Sequence, residues 1–368
     1  MAGSLTYQVL DSLERFRCLR DHYIQATQGE TPRSPFTSHR WLSAWWQAFA
    51  HTGKVRVFCL MHGTELRAAV PLMFDVGRLW RLPLRRASFL GGAWGLIGLP
   101  ASPKADSWED PFFSWLSSGE APGWDFLELG PMRTSTRSFT RFLQMLLRRK
   151  IPHKVTPLPN PYLTLTGSWD EFLRAKSGNF RSTVRRKEKR LLNERRYTIQ
   201  RIPNPTPEHL AETVFEVSRQ SWQGRSGEAV ASRPEGQAFY RFLLAGREEF
   251  EVDLTAMRTS GCCVTYLICL HQDRIYHQFD TGFDPKFSEL SPGFLVHVHL
   301  LKDICSRGIL EFNLGYPQPY KERFEPNYHE SAKILVFRNP LIAALSTAVE
   351  KAKEIIRGPS SLLAPEGR

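Results

Sequence analysis

The chain has few of the features that place a protein quickly. Among its 368 residues there are six cysteines, Cys18, Cys59, Cys262, Cys263, Cys269 and Cys305, and none forms a Cys-x-x-Cys pair. No histidine cluster completes a zinc set, so no metal site is expected. Cys262, Cys263 and Cys269 sit in an apolar stretch, where cysteine serves as a small hydrophobe. A reducing cytosol and no structural disulfide are the expectation. No run approaches the roughly 18 apolar residues that a membrane span needs. The opening MAGSLTYQVLDSLERF lacks the basic-then-apolar pattern of a secretion signal. A cytoplasmic location follows as an expectation, with contact to a membrane surface left open. No Ser–His or Cys–His motif announces a covalent nucleophile.

What is present points to a large folded chain. Hydrophobic residues make up 42%, with 10 Trp and 24 Phe, which excludes a disordered chain. The length suits two ordinary domains or one large one. The formal net charge is +12 and the pI about 9.6, so anionic partners are favoured: nucleotides, phosphorylated cofactors, nucleic acid or anionic lipid.

The first half opens with an amphipathic stretch. A helix then begins near Thr37 or Ser38 and carries Trp41, Trp45, Ala48 and Phe49 at helical spacing. VRVFCLMHGTELRAAVPLMF reads as a hairpin around His-Gly. Residues 91–119 read as loop, WDFLELGPM as a buried strand and FTRFLQMLLRRK as a helix. A second half begins near Pro157, after a proline-rich stretch. It reads strand YLTL, a basic helix from Asp170 to Arg196, strand YTIQRI, a helix from Pro207 to Trp222, and another from Gly236 to Ala245. The strands VDLTAMRT, CCVTYLICL and RIYHQFDTGF follow, then a helix opening on Ser-Pro-Gly, strand ILEFNL, a Gly-Pro loop, strand ILVFRN and a closing helix. The two halves share a loose order of elements, which hints at two related α/β units.

Three stretches carry chemistry. In FRSTVRRKEKRLLNERRY, Val184, Leu191 and Leu192 form an apolar seam and the charges fill the other face. A solvated face is the plain reading and a nucleic-acid surface the sharper one. SELSPGFLVHVHL, from Ser288 to Leu300, brings a turn straight into an apolar helix. Ser, Pro and Gly suit capping, but a helix mouth without bulky side chains also leaves N–H groups for an anion. GYPQPYKERF, residues 315–324, follows a strand and presents Tyr316, Tyr320, Lys321 and Arg323, in the region beyond strand ends where ligands gather in α/β sheets.

Taken together, SPFTSHRWLSAWWQAF, the Arg-rich helix, SRQSW and FDPKFSELSPGFLVHVHLLKDICSRGILEFNLGYPQPYKERF resemble the CelD-like acetyltransferases linked to bacterial cellulose and exopolysaccharide synthesis. These belong to the GNAT superfamily and are similar to Fem-type aminoacyl transferases. The resemblance spans about residues 30–335. It implies an α/β fold of two GNAT-like units, with mixed β-sheets flanked by α-helices. The expected domains are an N-terminal unit over 1–156, a catalytic unit over 157–335, and a C-terminal helix and tail over 336–368. It further implies that the Ser291-Pro292-Gly293-Phe294-Leu295 junction holds the pyrophosphate of acetyl-CoA or another acyl-CoA. Since Pro292 has no N–H, the donors would be those of Gly293, Phe294 and Leu295. Tyr320, Lys321 and Phe324 match the aromatic-Lys and Phe set of Fem-type enzymes, with Lys321 implied to stabilise negative charge. The sequence departs from the pattern in Glu311-Phe312-Asn313, where Asp-Phe-Gly is usual, and in GGAWGLIG, where a Ser-Asp-Tyr-like loop is common.

The implied reaction is acyl transfer from a thioester to an amine or hydroxyl acceptor, which attacks directly. It needs a base, oxyanion donors and a fixed acyl donor. Asp284 leads as base over Asp280, His277 and Glu311, with an Asx turn before Pro285 as its alternative role. Two other readings stay open: aminoacyl transfer from tRNA, and a catalytically inactive scaffold in a polysaccharide-synthesis assembly.

Overall fold

A computed structural model describes residues 5–27, 33–92, 95–98, 108–165, 167–194, 196–221, 230–259 and 261–357. The expected ends of several elements, Trp222 and part of GGAWGLIG among them, lie outside the described residues. The chain divides into two units. The first comprises Met1–Pro159, Pro317–Pro319 and His329–Arg368, and the second Asn160–Tyr316 and Tyr320–Tyr328.

The first unit is built on β1 (Leu5–Leu10), β2 (Lys54–His62), β3 (Glu65–Leu79), β4 (Leu82–Phe89), β5 (Phe126–Arg133), β6 (His153–Pro157) and β14 (Ser331–Phe337), in the order β1-β2-β3-β4-β5-β14-β6. The second is built on β7 (Asn160–Thr164), β8 (Tyr197–Pro203), β9 (Glu251–Thr259), β10 (Cys263–Gln272), β11 (Ile275–Phe283), β12 (Glu311–Asn313) and β13 (Asn327–His329), in the order β13-β7-β12-β11-β10-β9-β8. Both are mixed. An antiparallel meander ends in one parallel pair, β4 with β5 and β11 with β12, followed by an antiparallel neighbour. A parallel pair demands a crossover, and each has a helix: Glu109–Ser117 in the first unit and Pro292–Cys305 in the second. Two mixed sheets flanked by helices are thus the architecture.

Several local expectations change. β4 stands in a stretch read without structure. The two-residue turn that starts it uses Trp80 and Arg81 at φ 52° and 71°, a geometry that usually advertises itself with Asn or Gly. The helix Glu109–Ser117 occupies the stretch read as loop; Phe112, Phe113, Trp115 and Leu116 bury its inner side. The basic helix is two helices, Trp169–Arg174 and Gly178–Glu194. Phe180 and Val184 seat the second one in the core, while Leu192, expected in the seam, is 74% exposed. ILVFRN does not close the second sheet. It lies as β14 between β5 and β6, so the chain returns to the first sheet before residue 335.

In the second unit the Pro292–Cys305 helix is apolar almost all round. Phe294, Val296, Val298, Leu300, Leu301 and Ile304 are buried with Leu163, Leu267, Tyr276 and Phe312 of the sheet. A helix of that character must be covered, and this fixes its mouth rigidly at the end of β11.

Candidate functional site

The mouth is made by a turn. Asp284 caps the helical turn Pro285–Leu290, its carboxylate accepting from the Lys286 N–H at 3.0 Å. Asp284 is 5% exposed, and the side-chain contact the structure gives its carboxylate is that of the Asx turn, the alternative role named for it. Ser291 follows with φ 54° and ψ 53°, a left-handed conformation unusual for a residue with a Cβ. That geometry turns its carbonyl into the helix, where it accepts from both Phe294 N (3.0 Å) and Leu295 N (3.2 Å). Two of the three expected anion donors are therefore spent. Leu295 occupies the position whose N–H makes the first intrahelical bond. The Gly293 N–H has no backbone partner among the described residues, and a Cβ placed there would meet nothing within 4 Å. The mouth is open at that residue.

A cation reaches the mouth from the basic helix. Lys187 Nζ donates to Ser291 Oγ at 2.6 Å, and Arg190 donates to the Glu289 carbonyl at 3.2 Å. Burial and the nearby Arg186, Arg323 and Arg190 push the Lys187 pKa down. Like charges crowded beside a helix N-terminus oppose one another unless an anion joins them. The plain reading of this helix as a solvated face thus holds for Arg185 and Lys189, which are exposed, but not for Lys187.

The loop after β12 is held by side chains that sequence reasoning passed over. Asn313 Nδ2 donates to Asn160 Oδ1 at 2.7 Å, Asn313 Oδ1 accepts from Gly315 N at 2.9 Å, and Asn160 Nδ2 donates to the Gly315 carbonyl at 2.8 Å. The departure at Asn313 is a loop fastener. Lys321 works on the same loop. It is 4% exposed, and its Nζ donates to the carbonyls of Leu314 and, at 2.6 Å, Tyr316. Burial without a carboxylate partner pushes its pKa down to about 7. The role implied for Lys321, stabilising negative charge near the reacting carbonyl or a phosphate, does not match these contacts: the ammonium faces backbone carbonyls, because Pro319–Phe324 winds into a helical turn that carries the side chain inward.

Tyr320 keeps 39% of its surface exposed, and its hydroxyl ends a hydrogen-bonded chain. His297 Nδ1 lies 2.6 Å from the Gly293 carbonyl, which can only accept, so Nδ1 carries the proton. Burial lowers the His297 pKa to about 4, so the ring is neutral and Nε2 is bare. With Gln278 Oε1 facing Nε2, 3.0 Å away, two acceptors would meet. Turning the amide over, a change of no shape, lets its NH2 donate to Nε2. The carbonyl then accepts from Tyr320 Oη, 3.1 Å from the amide. Burial pushes the phenol pKa up to about 12, so Tyr320 stays protonated. The chain ties the open mouth at Gly293 to the loop carrying Tyr320. His297 and Gln278 stand 19 residues apart and nothing in their spacing announces the contact.

The other base candidates are engaged. Asp280 accepts from Tyr240 (2.5 Å) and Tyr266 (3.1 Å), and burial raises its pKa. His277 is buried in β11 beside β12. Glu311 lies 3.4 Å from the Asn313 amide. No group of three or more metal-ligating side chains occurs among the described residues.

Residues 178–322 match the family model for the acetyltransferase (GNAT) domain. No curated protein matches the chain. Solved structures match in fold. The C-terminal domain of a putative lysylphosphatidylglycerol synthetase from Agrobacterium fabrum superposes with TM-score 0.55 at 12% identity, covering 93% of this chain and 97% of that one. FemX gives TM-score 0.55 at 12% identity, over 92% and 99%. A tandem GNAT protein from the clavulanic acid biosynthesis pathway gives 0.53 at 11%, over 90% and 98%. The second unit carries a GNAT acetyltransferase domain, and the protein is an acyltransferase.

Proposed function

We propose that the protein transfers an acyl group, acetyl in the simplest case, from acyl-CoA to an amine or hydroxyl in bacterial polysaccharide or cell-envelope metabolism. The observation that carries the donor assignment is the mouth of the Pro292–Cys305 helix. Gly293 is open there, no acidic residue stands in the first turn, and Lys187 is anchored at Ser291. Backbone N–H, helix dipole and an ammonium together suit a pyrophosphate. The pathway rests on the sequence resemblance alone.

Fixed beside that mouth, the loop after β12 presents Tyr320. With its O–H donated to Gln278, the phenol oxygen offers lone pairs to the N–H or O–H of the acceptor and aligns it on the thioester. The acceptor attacks the carbonyl carbon, the C–S bond breaks, the acceptor's proton passes to solvent, and CoA leaves as thiolate, which takes a proton back from solvent to become the thiol. Lys321, Asn313 and Asn160 hold the loop in register for this step.

A second reading, aminoacyl transfer from tRNA, is favoured by the exposed Arg185, Arg186 and Lys189 and by the fold shared with FemX. Thermal shift with acetyl-CoA and with bulk tRNA, at low and high salt, separates them. Stabilisation by acetyl-CoA that persists in salt supports the CoA donor. A salt-sensitive response to tRNA alone moves the assignment to the charged-tRNA donor. No response to either leaves a scaffold.

A further inference from the structure

In the first unit, the β3–β4 hairpin outruns the strands on either side of it. β3 continues to Leu79 and β4 starts at Leu82. β2 accompanies β3 only as far as the pair Lys54–Phe74, and β5 joins β4 only from the pair Arg86–Phe126. Residues 75–84 therefore form a two-stranded ribbon with no further strand beside them among the described residues. At about 3.4 Å per residue, the ribbon reaches roughly 17 Å past the last β2 pair. A ribbon on its own is marginal in water, yet this one presents apolar side chains. Leu79 stands opposite Leu82, and Leu84 opposite Gly77, which puts the three leucines on one face. Val76 and Leu82 are exposed, and Leu79, Trp80 and Leu84 are half-buried. The other face carries Arg78, opposite Pro83, and Arg85, opposite Val76. Trp80 and Arg81 make the tip. The acids at the base of the ribbon are taken: Asp75 pairs with Arg86 at 2.7 Å, and Asp125 with Arg85 at 2.6 Å. Arg78 and Arg81 are exposed and have no carboxylate partner among the described residues.

Aliphatic side chains around one tryptophan, edged by unanswered arginines, match an anionic bilayer surface. The aliphatic tips reach the acyl boundary, the indole sits at headgroup level and the guanidiniums meet lipid phosphates. Single-stranded nucleic acid would stack its bases on several aromatic side chains, and the ribbon offers one. Addition of a partner's strand is opposed by Pro83, which has no N–H to give, and by the arginines. The outward N–H and C=O groups of a two-stranded ribbon cannot go unpaired into hydrocarbon, so the ribbon stops among the headgroups. We propose that the β3–β4 hairpin docks the protein on the surface of a bilayer containing anionic lipid, through Trp80, Leu82, Arg78 and Arg81. The surface lies in the unit that does not carry the acetyltransferase domain, and the inference does not depend on the acyl donor.

The test is co-sedimentation of the full chain with vesicles of phosphatidylcholine alone and with roughly a third of phosphatidylglycerol, alongside retention of bulk tRNA. The informative variant is Trp80→Asn combined with Arg81→Gly, because Asn-Gly is the pair this two-residue turn favours, so the fold should hold by circular dichroism. Partition to the anionic vesicles should fall about ten-fold or more in that variant, and about five-fold in Arg78→Gln, the effect of one basic residue at such a surface. Arg185→Gln, which also removes one charge, should bind vesicles within two-fold of the wild type, and acetyl-CoA affinity should be the same in all four proteins. Failure of the wild type to bind anionic vesicles overturns the proposal. Binding that persists in the Asn-Gly variant, or falls equally in Arg185→Gln, belongs to the net charge of the chain and overturns it too. Retention of tRNA that the Asn-Gly variant loses, without vesicle binding, makes the ribbon a nucleic-acid surface instead. None of these outcomes touches the donor assignment, which acetyl-CoA binding tests separately.

Discussion

The helices Glu109–Ser117 and Pro292–Cys305 hold the same place in two sheets of the same strand order, each bridging the one parallel pair. Their mouths differ. In the first unit the opening turn supplies its own negative charge, Glu109 and Asp110. Glu109 is 3% exposed and pairs with Arg141 at 2.8 Å, and Asp110 pairs with Arg148 and, at 2.7 Å, Arg149. The positive end of that helix is already answered. In the second unit the opening turn has no acidic residue, glycine stands where bulk would block approach, and Lys187 adds a charge of the same sign as the dipole end. One scaffold thus yields one closed mouth and one open one, and a handful of side chains decides which can take an anion.

The comparison breaks most sharply if the second mouth is given the first one's chemistry. Gly293→Asp puts a carboxylate into the opening turn, where the backbone has room for it. Acetyl-CoA affinity should fall about a hundred- to a thousand-fold by calorimetry, since like charges brought together cost several kcal/mol. The melting temperature should hold or rise, because the same carboxylate complements the dipole. Loss of stability together with affinity would mean that Gly293 is a structural residue only.

The converse change acts on stability. Glu109→Ala strips Arg141 of a buried partner and should cost about 2–3 kcal/mol in urea unfolding, with acetyl-CoA affinity unchanged within two-fold. A drop in affinity instead would show that the first mouth also serves the donor.

A smaller effect separates the two units by pH. Lys321 has a folded pKa of about 7, against roughly 10.4 for an unfolded lysine. Between these values the unfolded chain binds the extra proton, so this residue makes stability rise with pH, by at most about 1.4 kcal/mol per unit. Lys321→Met should remove that slope. Urea melts of both proteins at roughly pH 6.5, 7.5 and 8.5 check it, and parallel curves would mean that the lysine is ordinary in the folded state.

Legibility in the sequence followed the range of the interactions. Hairpins and helices came through because apolar spacing is a local signal: β2 with β3, β9 to β11 and the Ser-Pro-Gly helix stand where the pattern puts them. β4 was hidden by a Trp-Arg turn that lacks the usual residues, and the helix Glu109–Ser117 by its proline-bearing surroundings. At the candidate site, Ser291, Gly293 and Tyr320 were singled out by short motifs. His297, Gln278, Asn160 and Asn313 were not, because each acquires its partner only when β7, β11, β12 and the crossover helix come together. Lys321 was found but misread: prolines flanking a loop suggest a presented lysine, whereas the turn they start drives it into the backbone.

The claim that one mouth is open and the other closed is tested most directly by the stoichiometry of acetyl-CoA binding, measured by calorimetry on the wild-type chain and on Gly293→Asp. The account predicts a single site per chain in the wild type, and in the variant the same site weakened about a hundred- to a thousand-fold. Two sites per chain, or one that persists unchanged in Gly293→Asp, would contradict it.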